Sequence, residues 1–264
     1  MIRKRLFVIA ALSAVVAAGV SSIAQGPRQI GAVSVLATNA IVGPLTAIAD
    51  EHKKQTAQQV NVEFDTSTSI NRRFAAGTLT GVDVLVAANN TIDQAIKDGK
   101  AIADTRVHVG KVGVGVAIRR GAHRPDVASA DGLKASLLQA DAVVYSQGAS
   151  GVYVQTLLQK LGLMEQLKSR AVQLATGADM VERIQKSRGN EIGMTQISEV
   201  IRAQEETGGA VVLVGPLPAA IQNFTIFDAV ALRTSASPDS ARVFVRRLAT
   251  PAARKILAAN GWDF

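Results

Sequence analysis

Four short segments of this chain place small and hydroxyl-bearing residues between an apolar, β-branched run and a helical pattern. They are Thr38-Asn39-Ala40, Thr66-Ser67-Thr68-Ser69, Ser146-Gln147-Gly148-Ala149-Ser150-Gly151 and Thr176-Gly177-Ala178-Asp179. The chemistry such turns perform is anion binding. The first N–H groups of a helix lack intrahelical partners and carry partial positive charge, so they hold an oxyanion without a metal, and neighbouring hydroxyls add donors. Any one of these turns is accounted for as an N-cap worth about 1 kcal/mol; four in one chain point to a shared site. Thr38, Asn39, Ala40, Ser67, Thr68, Ser69, Ser150, Gly151, Gly177 and Ala178 are therefore ligand-binding candidates. Arg72, one helical turn past the second segment, is the first cationic candidate, because a guanidinium pairs bidentately with a carboxylate. Asp65 and His108 are the candidate bases, with Asp65 read first as a helix cap.

Other chemistries fall away. The chain has no cysteine, and its three histidines, His52, His108 and His123, are widely spaced, so no metal site and no cofactor is predicted. The glycine run from Gly110 to Gly115 lacks GxGxxG spacing and leads into a strand rather than a helix, which rules out a dinucleotide turn. There is no GxSxG and no HExxH.

The elements that position these turns follow from periodicity. Strands are predicted at 32–36, 60–64, 82–86, 142–145, 171–174, 191–195, 211–214 and 226–232, with a longer extended stretch at 107–118. Helices are predicted at 42–58, 70–76, 91–98, 130–138, 151–161, 178–186 and 197–205, and two more open at Pro238 and Pro251 behind Ser237 and Thr250. This βα rhythm implies a parallel sheet, interrupted midway. No linker tract and no 20–50-residue repeat is present, so two modules joined by the extended stretch, with the last helices returning to the first module, make two lobes and a cleft.

The N-terminus reads as an address. Arg3, Lys4 and Arg5 precede an uncharged apolar run at 6–20, and Ser22 and Ala24 supply the small residues of a cleavage site. The run falls short of the ~20 residues that span a bilayer, so a cleaved signal peptide at 1–24 is expected rather than a stable membrane insertion. Removing 24 of the 264 residues leaves 240, and the formal net charge falls from +8 to +5 with the loss of Arg3, Lys4 and Arg5. With aromatics at 4% and the remaining cations dispersed, a nucleic-acid surface is not expected.

Several segments resemble the periplasmic molybdate-binding proteins of ABC importers, a type II periplasmic-binding-protein family. The stretch from VSVLATNAIVGPL to NNTIDQAIKDG is similar to that family's first lobe, VVYSQGASGVYVQTLLQKLGL and GNEIGMTQISEV are similar to strand-turn-helix units of the second, and SPDSARVFVRRLATPAARKILAANGW is similar to its C-terminal helices. The resemblance covers residues 30–264. It implies an α/β two-lobe fold, each lobe a βα sandwich around a mostly parallel sheet, with lobe I at 25–108 and 226–264 and lobe II at 109–225. It also implies a small anionic ligand in the interlobe cleft, an ABC permease as partner, a periplasmic location and a monomer. Arg72 aligns with an arginine of the family pattern. The departures bear on the ligand: the family's first-turn serine is Ala40 here, and its tyrosine hydroxyl falls at Gln196. An amide donates and accepts, which suits an organic carboxylate better than a tetrahedral dianion. Aconitate isomerases, which resemble the same family, give the rival expectation: an enzyme shifting an allylic proton between trans- and cis-aconitate.

Overall fold

The computed structural model describes residues 31–264; the signal-peptide expectation falls outside them. Nine strands and nine α-helices, mostly alternating, run along the described residues. In the first half, β1 (Val33–Thr38), β2 (Val60–Asp65) and β3 (Val84–Ala88) pair in parallel in the order β2-β1-β3. In the second, β5 (Ala142–Ser146), β6 (Ala171–Leu174) and β7 (Glu191–Gln196) pair in parallel in the order β6-β5-β7. Antiparallel strands join the two. β9 (Phe224–Ala231) pairs with β3, and β4 (Val107–Arg119) pairs with β9 over Val107 to Gly113. Beyond Gly113, β4 pairs instead with β7 and with β8 (Val211–Pro216). One strand thus serves both halves of the sheet, passing from one to the other at Gly113 and Val114.

Helices cover both faces of each half, as parallel sheets require. α1 (Val42–Thr56), α8 (Pro238–Arg247) and α9 (Pro251–Ala259) pack on one face of the first half with Phe244, Leu257 and Trp262. On the other face, α2 (Ser67–Ala75) and α3 (Asn89–Lys97) bury Ile70, Phe74 and Ile92. In the second half, α4 (Ala130–Gln139) and α5 (Ala149–Lys160) enclose Leu133, Leu137, Leu157 and Leu158. α6 (Gly177–Lys186) and α7 (Ile197–Glu206) close the opposite face around Met180, Ile184 and Val200. β3 and β5 are buried along their whole length, which is why they read as unbroken apolar runs rather than alternating ones.

The boundaries differ from the periodicity in ways that have local causes. α1 ends at Thr56 and not at 58, because Ala57 adopts a left-handed conformation and the buried Gln58 side chain bonds His52 at 2.8 Å and donates to the Gly31 carbonyl at 2.9 Å. α2 begins at Ser67, three residues early, because Thr66 Oγ1 accepts from the Ser69 N–H. β3 starts at Val84, since the Asp83 carboxylate is engaged with the Ser34 N–H and the Ser235 hydroxyl.

Candidate functional site

The carboxyl ends of β1, β2, β5, β6 and β7 face one another across the two halves, and the turn after each feeds a helix. Open α/β sheets bind ligands at such ends. Between them lies a cavity of about 350 Å³ of empty space, counting what opens to solvent. Its wall includes the N-cap residues of four α-helices: Thr66 of α2, Gly148 of α5, Thr176 of α6 and Gln196 of α7. Thr38, the N-cap of a short 3-10 turn at Asn39–Ile41, adds a fifth. The halves touch on two sides of the cavity. Ser198 Oγ on α7 donates to the Ala40 carbonyl at 2.7 Å, and Thr68 Oγ1 on α2 reaches the Gln147 carbonyl at 3.4 Å.

Seven of the predicted ligand residues line this cavity: Thr38, Asn39, Ala40, Ser67, Ser150, Gly177 and Gln196. Two of them carry unmet hydrogen-bonding capacity. Thr38 Oγ1 and Gln196 Oε1 are buried without a partner, on residues only 3% exposed. A buried polar atom left unpaired costs about 1–3 kcal/mol, a cost that a bound molecule can remove. Among the described residues, no lysine or arginine is in the wall. The donors for an anion are therefore helix N-termini, hydroxyls and an amide.

The other five predicted residues sit beside the cavity. Thr68 lines an adjoining, outer cleft that shares Ser67 and Ala149 with the inner one. Ser69 is turned to Asp65, donating from Oγ to its carboxylate at 2.6 Å. Arg72 is exposed on α2 with its guanidinium 3.4 Å from Ser69 Oγ. Gly151 lies under the Ser146 backbone, and Ala178 is in the first turn of α6.

The two candidate bases are both occupied elsewhere. Asp65 accepts from the Thr66 N–H at 2.7 Å and from Ser69 Oγ, but the cap expected of it is made by Thr66, whose Oγ1 takes the Ser69 N–H. His108 bonds Asp228 at 3.1 Å, and Asp228 also accepts from Arg106 Nε at 2.7 Å. Phe227 lines the cavity, and consecutive strand residues face opposite sides, so the Asp228 cluster lies on the far face of β9. Thr176 and Asp179 form a reciprocal capping box on α6.

Two wall residues escape a reading of the sequence alone. Phe227, fully buried against Trp262 with ring centroids 5.0 Å apart, gives the cavity an apolar wall. Glu199, at the third position of α7, is 8% exposed and its carboxyl accepts from Thr195 Oγ1. Burial pushes the Glu199 carboxyl above the usual carboxylate range, against the opposing pull of Thr195 and Arg202. The sequence signal for Glu199 is faint: a glutamate in a first helical turn reads as a solvent-facing complement to the dipole.

Known proteins share both the sequence and the architecture. An aconitate isomerase from Pseudomonas sp. is 26% identical over 257 residues, covering 95% of this chain and 94% of that protein. The periplasmic molybdate-binding protein of Azotobacter vinelandii superposes with a TM-score of 0.72 at 18% identity, over 88% of this chain and 99% of that one. A periplasmic thiamin-binding protein superposes with a TM-score of 0.68 at 14% identity, over 88% and 82%. These likenesses fix the architecture as the two-lobe, mixed α/β fold of periplasmic binding proteins, and their different ligands show that the fold does not choose the ligand. Residues 33–263 match the bacterial extracellular solute-binding proteins, and the chain belongs to that family.

Proposed function

We propose that the protein is a periplasmic solute-binding protein that closes its lobes on a small anion and delivers it to an ABC permease. The observation that carries this reading is the convergence of four α-helix starts and one 3-10 turn on a cavity whose wall, among the described residues, has no cation and whose Thr38 and Gln196 side chains hold unpaired polar atoms. An organic carboxylate suits the wall better than a molybdate-like oxyanion. Phe227 offers a surface for carbon, and Gln196 both donates and accepts. The 12 candidates of the sequence divide by place: seven contact the ligand, while Thr68, Ser69, Arg72, Gly151 and Ala178 shape, bridge or steer toward the cleft. Lobe I, 25–108 with 226–264, and lobe II, 109–225, hinge where β4 changes partners near Gly113, so the moving boundary falls a few residues into β4.

A second reading is favoured by the relative named aconitate isomerase, which matches nearly the whole chain. On it, the same cavity holds a tricarboxylate and moves an allylic proton from one carbon to another.

A thermal-shift panel of molybdate, tungstate, sulfate, phosphate, citrate and trans-aconitate on the chain from residue 25 tests both. Ligand present at about 100 times its Kd raises stability by about 2.7 kcal/mol, which moves Tm by several degrees. The expected result is a shift with at least one carboxylate exceeding that with molybdate. A shift with molybdate alone would sink the carboxylate preference, and conversion of trans- to cis-aconitate by the purified chain would establish the second reading.

A further inference from the structure

Glu199 is the charged-type group that a cavity for anions does not by itself explain. An ionised carboxylate in the wall of a small cavity repels an anionic ligand, and low local polarity strengthens that repulsion. A neutral carboxyl has the opposite effect, because it gains a donor. The surroundings decide between the two. From β7, the fully buried Thr195 donates from Oγ1 to Glu199 Oε2, leaving Oε1 as the oxygen that can carry a proton. From α5, Ser150 Oγ stands 3.4 Å from Thr195 Oγ1, so Ser150, Thr195 and Glu199 form a chain along the wall. From α6, Gly177 approaches so closely that a Cβ there would lie 2.7 Å from both carboxyl oxygens. The charged group that acts on Glu199 is Arg202 of its own helix, and that guanidinium is engaged with Glu206 at 2.8 Å. Arg202, the Thr195 hydroxyl and the Gln196 backbone favour the ionised form, and burial, the largest influence, outweighs them toward the neutral one.

Resting on the anion-binding reading, we infer that Glu199 works as a neutral acid whose Oε1 proton is donated to the bound anion. It is a specificity-determining residue: the site takes ligands that present a bare acceptor oxygen at this corner, such as a carboxylate or sulfate, and disfavours ligands that present a hydroxyl proton there. Carboxylic acids held neutral in apolar sites so that they can donate are an established device of protein chemistry.

The experiment uses the chain from residue 25, with trans-aconitate and sulfate as probes, both fully ionised from neutral to alkaline pH. Infrared difference spectra of wild type against Glu199→Gln at neutral pH are expected to show a protonated-carboxyl band that shifts when the probe is added. Calorimetric affinity of the wild type is expected to fall toward tenfold per pH unit as Glu199 ionises, one proton's worth of linkage. In Glu199→Gln, whose amide also donates, the affinity is expected not to vary with pH, and in Glu199→Leu to be at least tenfold weaker at neutral pH. Absence of the band, or a band that the probe does not move, would overturn the inference while leaving anion binding standing. Failure of both probes to bind the wild type would overturn the anion reading and this inference with it. If Glu199→Gln does not fold, the probe-induced shift in the wild type alone decides between these results.

Discussion

Gly151→Ala is expected to destabilise the protein by about 3 kcal/mol or more, lowering Tm by roughly 10 °C in a thermal melt. The reason lies in the third turn of the cleft. α5 starts so close beneath the end of β5 that a Cβ on Gly151 would lie 1.6 Å from the Ser146 carbonyl oxygen and 2.5 Å from its carbon. These are backbone atoms, so no side-chain rotation relieves the overlap, and either the helix or the strand end must move. That movement would also pull Gly148, Ala149 and Ser150 out of the cavity wall, coupling loss of stability to loss of binding. Gly148→Ala is the control in the same turn. Its added Cβ meets the Ser146 hydroxyl at 3.4 Å, an ordinary contact, so its cost should stay within about 1 kcal/mol. Equal melting curves for the two variants would show that the turn tolerates rearrangement.

Thr38→Val together with Gln196→Leu should produce the opposite signature, with affinity lost and stability kept. In the ligand-free protein, Thr38 Oγ1 and Gln196 Oε1 pay for burial without a partner, so shape-similar apolar replacements remove a cost. A hydrogen bond to a charged ligand contributes about 1.5–3 kcal/mol, so each replacement should weaken binding by roughly 10- to 150-fold. Calorimetry with the best anion of the panel, paired with urea unfolding, checks both halves. The double variant should unfold at the wild-type urea midpoint or above it. Wild-type affinity in the double variant would remove both residues from the site.

The sequence locates the strands and helices to within a few residues wherever the cause is local. β7 and α7, expected at 191–195 and 197–205, form at Glu191–Gln196 and Ile197–Glu206, because a short buried run and a helical spacing of apolar residues are properties of the segment itself. The end of α1 is less legible, since Ala57 takes a left-handed conformation normally signalled by glycine. The cleft turns were readable for the same reason as the helices: small and hydroxyl residues before a helix state their chemistry locally. Glu199 and Phe227 were not. Glu199 enters the wall because α7 packs against the 3-10 turn after β1 and buries its first turn, and Phe227 because β9 pairs with β3 on one side and β4 on the other. Both placements come from tertiary pairing that no window of sequence contains. The same holds for Arg72, whose alignment with the family pattern says nothing of its exposure.

On the proposed function, helix N-termini and neutral donors hold an anion between the lobes. Amide chemical-shift mapping tests it most directly, with uniformly 15N-labelled chain from residue 25 titrated with the anion that gives the largest thermal shift. The amides of Asn39 and Ala40, Ser67, Ala149 and Ser150, Gly177, and Ile197 are expected to move together with one dissociation constant, one group from each helix start. Shifts confined to the exposed arginines, or scattered without a common constant, would contradict it.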